Sequence, residues 1–194
     1  MTPRSTAPFH DLTGQLLIAM PDLGDPRFQG SVVFLCAHSP DGAMGLIVNK
    51  PMQDVRFRDM LDQLGIARAA ATPDVQVCYG GPVQMRRGFI LHSAAYAGSR
   101  KDRLEVDDRY AMSATLDILT EIARGTGPVH NILALGYAGW GPGQLEEEIA
   151  HNSWLTAEAL PEVVFAPSMH DKWAAALASL GISPLTLSSQ AGHA

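Results

Sequence analysis

A chain of 194 residues, 46% hydrophobic and 18% charged, is long enough to bury one sizeable core, and no shift in composition divides it. A formal charge of −6 disfavours a general phosphate-backbone binder, two cysteines do not make a disulfide framework, and no apolar run approaches the length of a membrane span. Nothing near Met1 resembles a secretory leader, so the expectation is a single domain of the reducing cytoplasm, without membrane association.

Residues 1–13 are expected to form a flexible N-terminal arm and residues 14–194 the domain, because the first segment has prolines and hydroxyl residues but few large apolar groups. Leu16 to Met20, stopped by Pro21, reads as a buried strand, and Asp22 to Gln29 as a turn from which Phe28 reaches back to the core. Ser31 to His38 and Ala43 to Asn49 read as two strands, joined by Ser39-Pro40-Asp41-Gly42, which has hairpin chemistry. Phe57, Met60, Leu61 and Leu64 repeat at helical spacing before Gly65. Val75 to Tyr79 and Gly88 to His92 are expected to pair with each other around Gly80-Gly81-Pro82, and Leu104 to Ala114 to be extended. Leu116, Leu119, Ile122 and Ala123 form the stripe of a helix that Thr115 or Ser113 can cap. An apolar run, Ile132 to Leu135, then enters a glycine-rich turn, Gly136 to Gly143, and an acidic helix leaves it. Val163 to Ala166 reads as a last core strand, Ser168 to Asp171 as a capping box, and Trp173, Leu177 and Leu180 as the stripe of a final helix. Hairpin-like pairs outnumber strand-helix-strand units, which predicts an α+β domain with a mixed, largely antiparallel curved sheet and helices packed against it.

The glycine-rich turn invites a phosphate, since a loop of this kind feeding a helix presents free N–H groups. The letters disagree: Gly143-Gln144-Leu145 replaces Gly-Lys-Ser/Thr, Gln144 stands where a dinucleotide fingerprint needs glycine, and Glu146 to Glu148 would repel phosphate. Cys36 and His38, two apart on one strand, with Cys78 and His92 on others, are a nominal zinc set, yet buried small hydrophobes are the better reading. No metal or other cofactor is expected. Cys78 is the better placed of the two thiols for reactivity, and Glu147 with His151, at i and i+4, suits a surface ion pair. Arg86 with Arg87, and Arg100, Lys101 and Arg103, make two basic spots that read as solvated surface. No serine has the flanking glycines of a nucleophile elbow. Gln144, Glu148 and Asn152 repeat every four residues along one polar helical face; with Trp140 and the Gly80-Gly81-Pro82 turn they are the candidate binding residues, against the alternative that the stripe is solvated surface.

Several stretches together resemble the bacterial AlgH/YqgE family. They are Leu16 to Pro21, His38 with Gly42 to Pro51, Gly80 to Val83, Arg87 to His92, Leu135 to Trp140, Gly143 to Glu146 with Glu148-Ile149, Asn152 with Trp154-Leu155, and Gly192-His193-Ala194. They occur in the family's order across nearly the whole chain from residue 14. Ala37 stands where an acidic residue often precedes the family's histidine, and Gly139 where serine can occur. What the resemblance implies is a single-domain cytosolic protein associated with transcriptional regulation, with no assigned reaction.

Two functions remain open from the sequence. One is a non-enzymatic regulatory or binding protein that acts through a protein partner or small ligand without grasping DNA, whether or not it forms a homo-oligomer. The other is a small-molecule- or nucleotide-binding enzyme with an unfamiliar site near the glycine turns.

Overall fold

The computed structural model describes residues 9–98 and 100–187; the Gly192-His193-Ala194 motif lies outside them. Among the described residues, ten strands and five α-helices follow in chain order: β1 (Gln15–Ala19), β2 (Val32–Ser39), β3 (Gly42–Ile47), β4 (Pro51–Arg56), α1 (Phe57–Gln63), β5 (Gln76–Tyr79), β6 (Val83–Ser93), β7 (Arg103–Glu105) and β8 (Tyr110–Ser113). The rest are α2 (Leu116–Arg124), β9 (Asn131–Trp140), α3 (Gln144–Ala150), β10 (Trp154–Glu158), α4 (Pro161–Val164) and α5 (Lys172–Ser179). One sheet runs β10-β1-β2-β3-β9-β6-β8-β7, and β5 joins it beside β9 while also pairing β4. All these pairs are antiparallel except β5 with β9, so the expected mixed, largely antiparallel α+β architecture is present.

Side chains alternate along a strand, and here both faces of the sheet are buried. Leu16 and Ile18, Val32 and Phe34, and Ile132 and Ala134 enter one apolar cluster, completed by Tyr110, Val164 and Leu177. Leu17, Val33, Leu35 and Ile47 enter a second, with Trp140, Leu145 and Trp154. Leu133 and Ile90 meet Phe57 and Leu61 of α1 and Ile118 and Ile122 of α2 in a third. Continuous apolar runs such as Leu16-Leu17-Ile18 are thereby explained, because each strand needs apolar groups on both sides. The sheet curls until its two ends meet: Tyr110 on β8 donates its hydroxyl hydrogen to Ala159 O at 2.6 Å, and Arg109 Nη1 lies 2.8 Å from Glu158 Oε1.

Three local expectations change, in the pairing of β5 with β6, the extent of β9 and the place of the last strand. β5 and β6 do not pair with each other; β9 lies between them, parallel to β5 and antiparallel to β6. β9 continues through Gly136 to Trp140, so the glycine-rich stretch is mainly strand. Val163-Val164 belongs to the short helix α4, started by Pro161 in its first turn, and the last strand is the earlier Trp154–Glu158. Residues 9–13 lie against the domain: Leu12 is buried, Phe9 packs on the His38 ring, and His38 N–H donates to Thr13 Oγ1 at 2.9 Å. A bulge in β2 between Leu35 and Ala37 separates the neighbours Cys36 and His38. Cys36 enters the first cluster, whereas His38 turns to Leu12 and α3.

Candidate functional site

Gly80-Gly81 sits where β9 leaves β5 and joins β3, at Gly136. Ile47 N–H donates to Gly80 O at 2.9 Å, and Gly80 N–H to Leu135 O at 2.8 Å. A Cβ on Gly80 would collide with the Gly136 carbonyl, and one on Gly81 with the Tyr137 backbone. Close approach of two backbones therefore accounts for both glycines, with half-buried Pro82 following on the way into β6.

The polar stripe of α3 faces two indoles. Glu148 Oε2 accepts the N–H of Trp140 at 2.9 Å and that of Trp154 at 2.7 Å, and Glu148 Oε1 accepts from Gln144 Nε2 at 2.9 Å. Gln144 Oε1 accepts Gly141 N–H at 3.0 Å, so one side chain ties the turn to the helix. Asn152 has φ of 58°, and with Asn152 N–H bonded to Ile149 O and Ser153 N–H to Glu148 O it closes α3 as a Schellman motif. Trp140, Gln144, Glu148 and Asn152 are thus brought together, with structural tasks; Gly80-Gly81-Pro82 belongs to the strand crossing at Gly136, apart from this stripe.

Cys36, His38, Cys78 and His92 are all buried and engaged. Burial pushes the Cys36 and Cys78 thiols up to about 12, which suppresses thiolate, and Cys78 Sγ lies 3.5 Å from Met169 Sδ. His92 donates from Nδ1 to Ser93 O at 2.9 Å, which leaves Nε2 to accept from Ser113 Oγ at 3.0 Å; burial lowers its pKa. His38 Nδ1 accepts the Leu12 N–H at 3.0 Å, so its proton is on Nε2, 2.9 Å from Glu146 Oε1. His151 Nδ1 bonds the Glu147 carbonyl oxygen at 2.7 Å, replacing the expected carboxylate pair. Arg103 is also no solvated spot: it donates to Tyr96 O and Ala94 O, each at 2.6 Å. Among the described residues no group of three or more His, Cys, Asp or Glu could hold a metal, and no helix is long and apolar enough to cross a membrane.

A groove of about 780 Å³ lies elsewhere, between β4, α1, the first half of β6 and the start of α2. Its origin is a slip in register. From Val83 to Gly88 β6 advances five residues while β9 advances only two, from Tyr137 to Leu135, and β8 pairs β6 only at Ile90 to Ser93. Gln84 to Arg87 therefore form an out-of-register arch in β6, with Gln84 at φ of 49° and Met85 close against Gly136 of β9. Met52, Met60, Leu119 and Leu135 contribute apolar lining, and Leu64, Met85 and Leu116 stay 44%, 50% and 55% exposed around it. Arg56, Arg86 and Arg87 line it too, with Asp54 and Asp59 from the β4–α1 side. Leu116 was expected on the buried stripe of α2; Ile118 takes its place inward. The sequence reading missed this groove, although Met85 next to Arg86-Arg87 is a visible signal of exposed apolar surface beside charge.

These features define a class: a curled, mostly antiparallel α+β domain with both sheet faces buried and one apolar groove beside a strand arch. The chain belongs to the AlgH-like family, whose model, DUF179, matches residues 16–185. It is 61% identical over 185 residues to a UPF0301 protein of Jannaschia sp. (strain CCS1), covering 95% of this chain and 96% of that one. A UPF0301 protein of Ruegeria pomeroyi is 58% identical over 185 residues, covering 95% of this chain and 100% of the other. The solution structure of the AlgH protein from Pseudomonas aeruginosa superposes with a TM-score of 0.76 at 40% identity, over 100% of both chains. A crystal structure of a protein from Corynebacterium diphtheriae shares the fold at a TM-score of 0.71 and 22% identity, over 94% of this chain and 93% of that one.

Proposed function

We propose that this protein is a non-enzymatic binding protein that captures a small ligand in the groove beside the Gln84 to Arg87 arch. One observation carries the reading: Leu64, Met85 and Leu116 hold large apolar surfaces open to solvent around a concavity of about 780 Å³, within the usual range for small-molecule sites. The deep burial of both thiols and the two engaged nitrogens of His92 favour binding over nucleophilic catalysis. Any regulatory role in the cytosol then passes through the occupied groove to a protein partner, without base reading, since a chain of net charge −6 lacks general attraction for the phosphate backbone. A metabolite screen against the purified protein, with Leu116→Asp as the blocked control, tests this. Hits should perturb the backbone amides of the groove, disappear in the variant and be recovered unchanged. Hits that map elsewhere, or are turned over, overturn it.

A further inference from the structure

We infer that the groove takes a straight-chain amphiphile with an anionic head, a carboxylate or phosphate, whose head lies at the arch and whose alkyl tail crosses the methionine-lined floor. The inference rests on the small-ligand reading above and narrows it.

The lining sets the tail. Met52, Met60 and Met85 are unbranched and adjust to a flexible chain, and leucines supply most of the remaining apolar wall. The described lining residues carry no aromatic ring, so a nucleobase would find no stacking platform, whereas an alkyl chain needs none.

Charge sets the head. Arg86 and Arg87 are adjacent on the arch and both exposed, and among the described residues neither they nor Arg56 enters an ion pair. Arg87 lies over the Phe89 ring, 5.1 Å from its centroid, and reaches Gln84 Oε1 at 3.5 Å, so its guanidinium is held at the margin of the groove, on the Phe89 side of the arch. Asp54 and Asp59 line the groove from β4 and α1 together with Arg56, a net charge of one negative against the two positive charges of the arch, which directs an anionic head to Arg86 and Arg87. A cationic amphiphile would face two guanidinium groups at the arch.

The test is a titration of the full chain, followed through its backbone amide resonances, with dodecanoate, dodecyl phosphate, dodecyl maltoside and dodecyltrimethylammonium, each below its micellar concentration. Dodecanoate or dodecyl phosphate should shift residues of the arch and the α2 start, and comparison of the two identifies the preferred head. The double variant Arg86→Ser/Arg87→Ser should keep its melting transition and bind that anion about tenfold or more weakly, the loss expected for one charge-assisted hydrogen bond. Equal groove binding by all four amphiphiles, or an unchanged affinity in the double variant, overturns the anionic head while leaving the small-ligand reading intact. No groove shift with any of them overturns the amphiphile class; the small-ligand reading then falls only if the metabolite screen also finds the groove empty. Groove shifts that follow protein concentration alone would assign this surface to a second copy of the chain and overturn the inference.

Discussion

Trp154 donates its indole N–H to the carboxylate of Glu148 at 2.7 Å, and the same oxygen takes the N–H of Trp140 at 2.9 Å. The rings meet edge to face, with centroids 6.0 Å apart, so a single carboxylate fixes two large core side chains at the end of β9 and the start of β10. Replacing Glu148 with alanine strands two buried donors and should cost about 2–4 kcal/mol in a denaturant titration, while glutamine, which keeps one carbonyl acceptor, should cost about half. An alanine variant that unfolds with the parent would show that the clamp has no structural weight.

Asn152 supplies a left-handed residue at the end of α3, and its φ of 58° explains its side chain better than any ligand does. Glycine there should be neutral or stabilising by a few tenths of a kcal/mol, and valine should cost about 1–2 kcal/mol, because a β-branched Cβ is crowded in that conformation. Thermal melts of the two variants decide it; equal stability for both would contradict the backbone explanation.

Local chemistry was legible and long-range placement was not. The Ser39 to Gly42 hairpin formed as read because its four residues carry the turn themselves, with Ser39 paired to Gly42. The β5–β6 pairing failed because β9, arriving some fifty residues later, offers both strands a better partner than their short turn can. Val163-Val164-Phe165 looked like a strand because a short apolar run has no period to separate it from a helix, and Pro161 was the cue that decides it. Gln144 and Glu148 lie along one side of α3, whereas Asn152 falls past its end in the left-handed region, and nothing local says that this side meets Trp140 and Trp154. The groove was illegible for the same reason: its walls come from Met52 to Leu64, Met85 to Ile90, and Ala114 to Leu119, and a register slip brings them together.

Gly136 and Gly143 have nearly the same backbone conformation, φ of 73° and 74°, but different surroundings. A Cβ on Gly136 would overlap the Gly81 carbonyl, whereas one on Gly143 meets nothing within 4 Å. Gly143→Ala should therefore cost only the left-handed strain, about 1–2 kcal/mol, and Gly136→Ala considerably more, because backbone must move against backbone at the crossing of β5 and β9. Equal losses in urea unfolding would remove close approach as the reason for glycine at 136.

Lys172, 1% exposed, places its ammonium between Val48 O at 3.1 Å and Val164 O at 2.7 Å, beneath the first apolar cluster and near Cys78. Burial lowers its pKa from 10.5 to about 8; the Cys78 thiol, itself pushed up to about 12, stays protonated across that interval. A neutral amine still has two hydrogens, enough for both carbonyls, so losing the proton relieves the cost of a buried charge without breaking either bond. The unfolded chain holds more protons between about pH 8 and 10.5, so the folded state gains stability as pH rises through that window and carries the full penalty below it. Lys172→Met removes the titration and leaves both carbonyls unpaired, a loss that does not vary with pH. In matched urea titrations the stability of the parent relative to this variant should rise by about 3 kcal/mol from pH 7.5 to 10.5, at about 1.4 kcal/mol per pKa unit. A difference that stays flat over this range would mean that Lys172 holds its proton as an exposed lysine does, and that water reaches the ammonium from the side of α5.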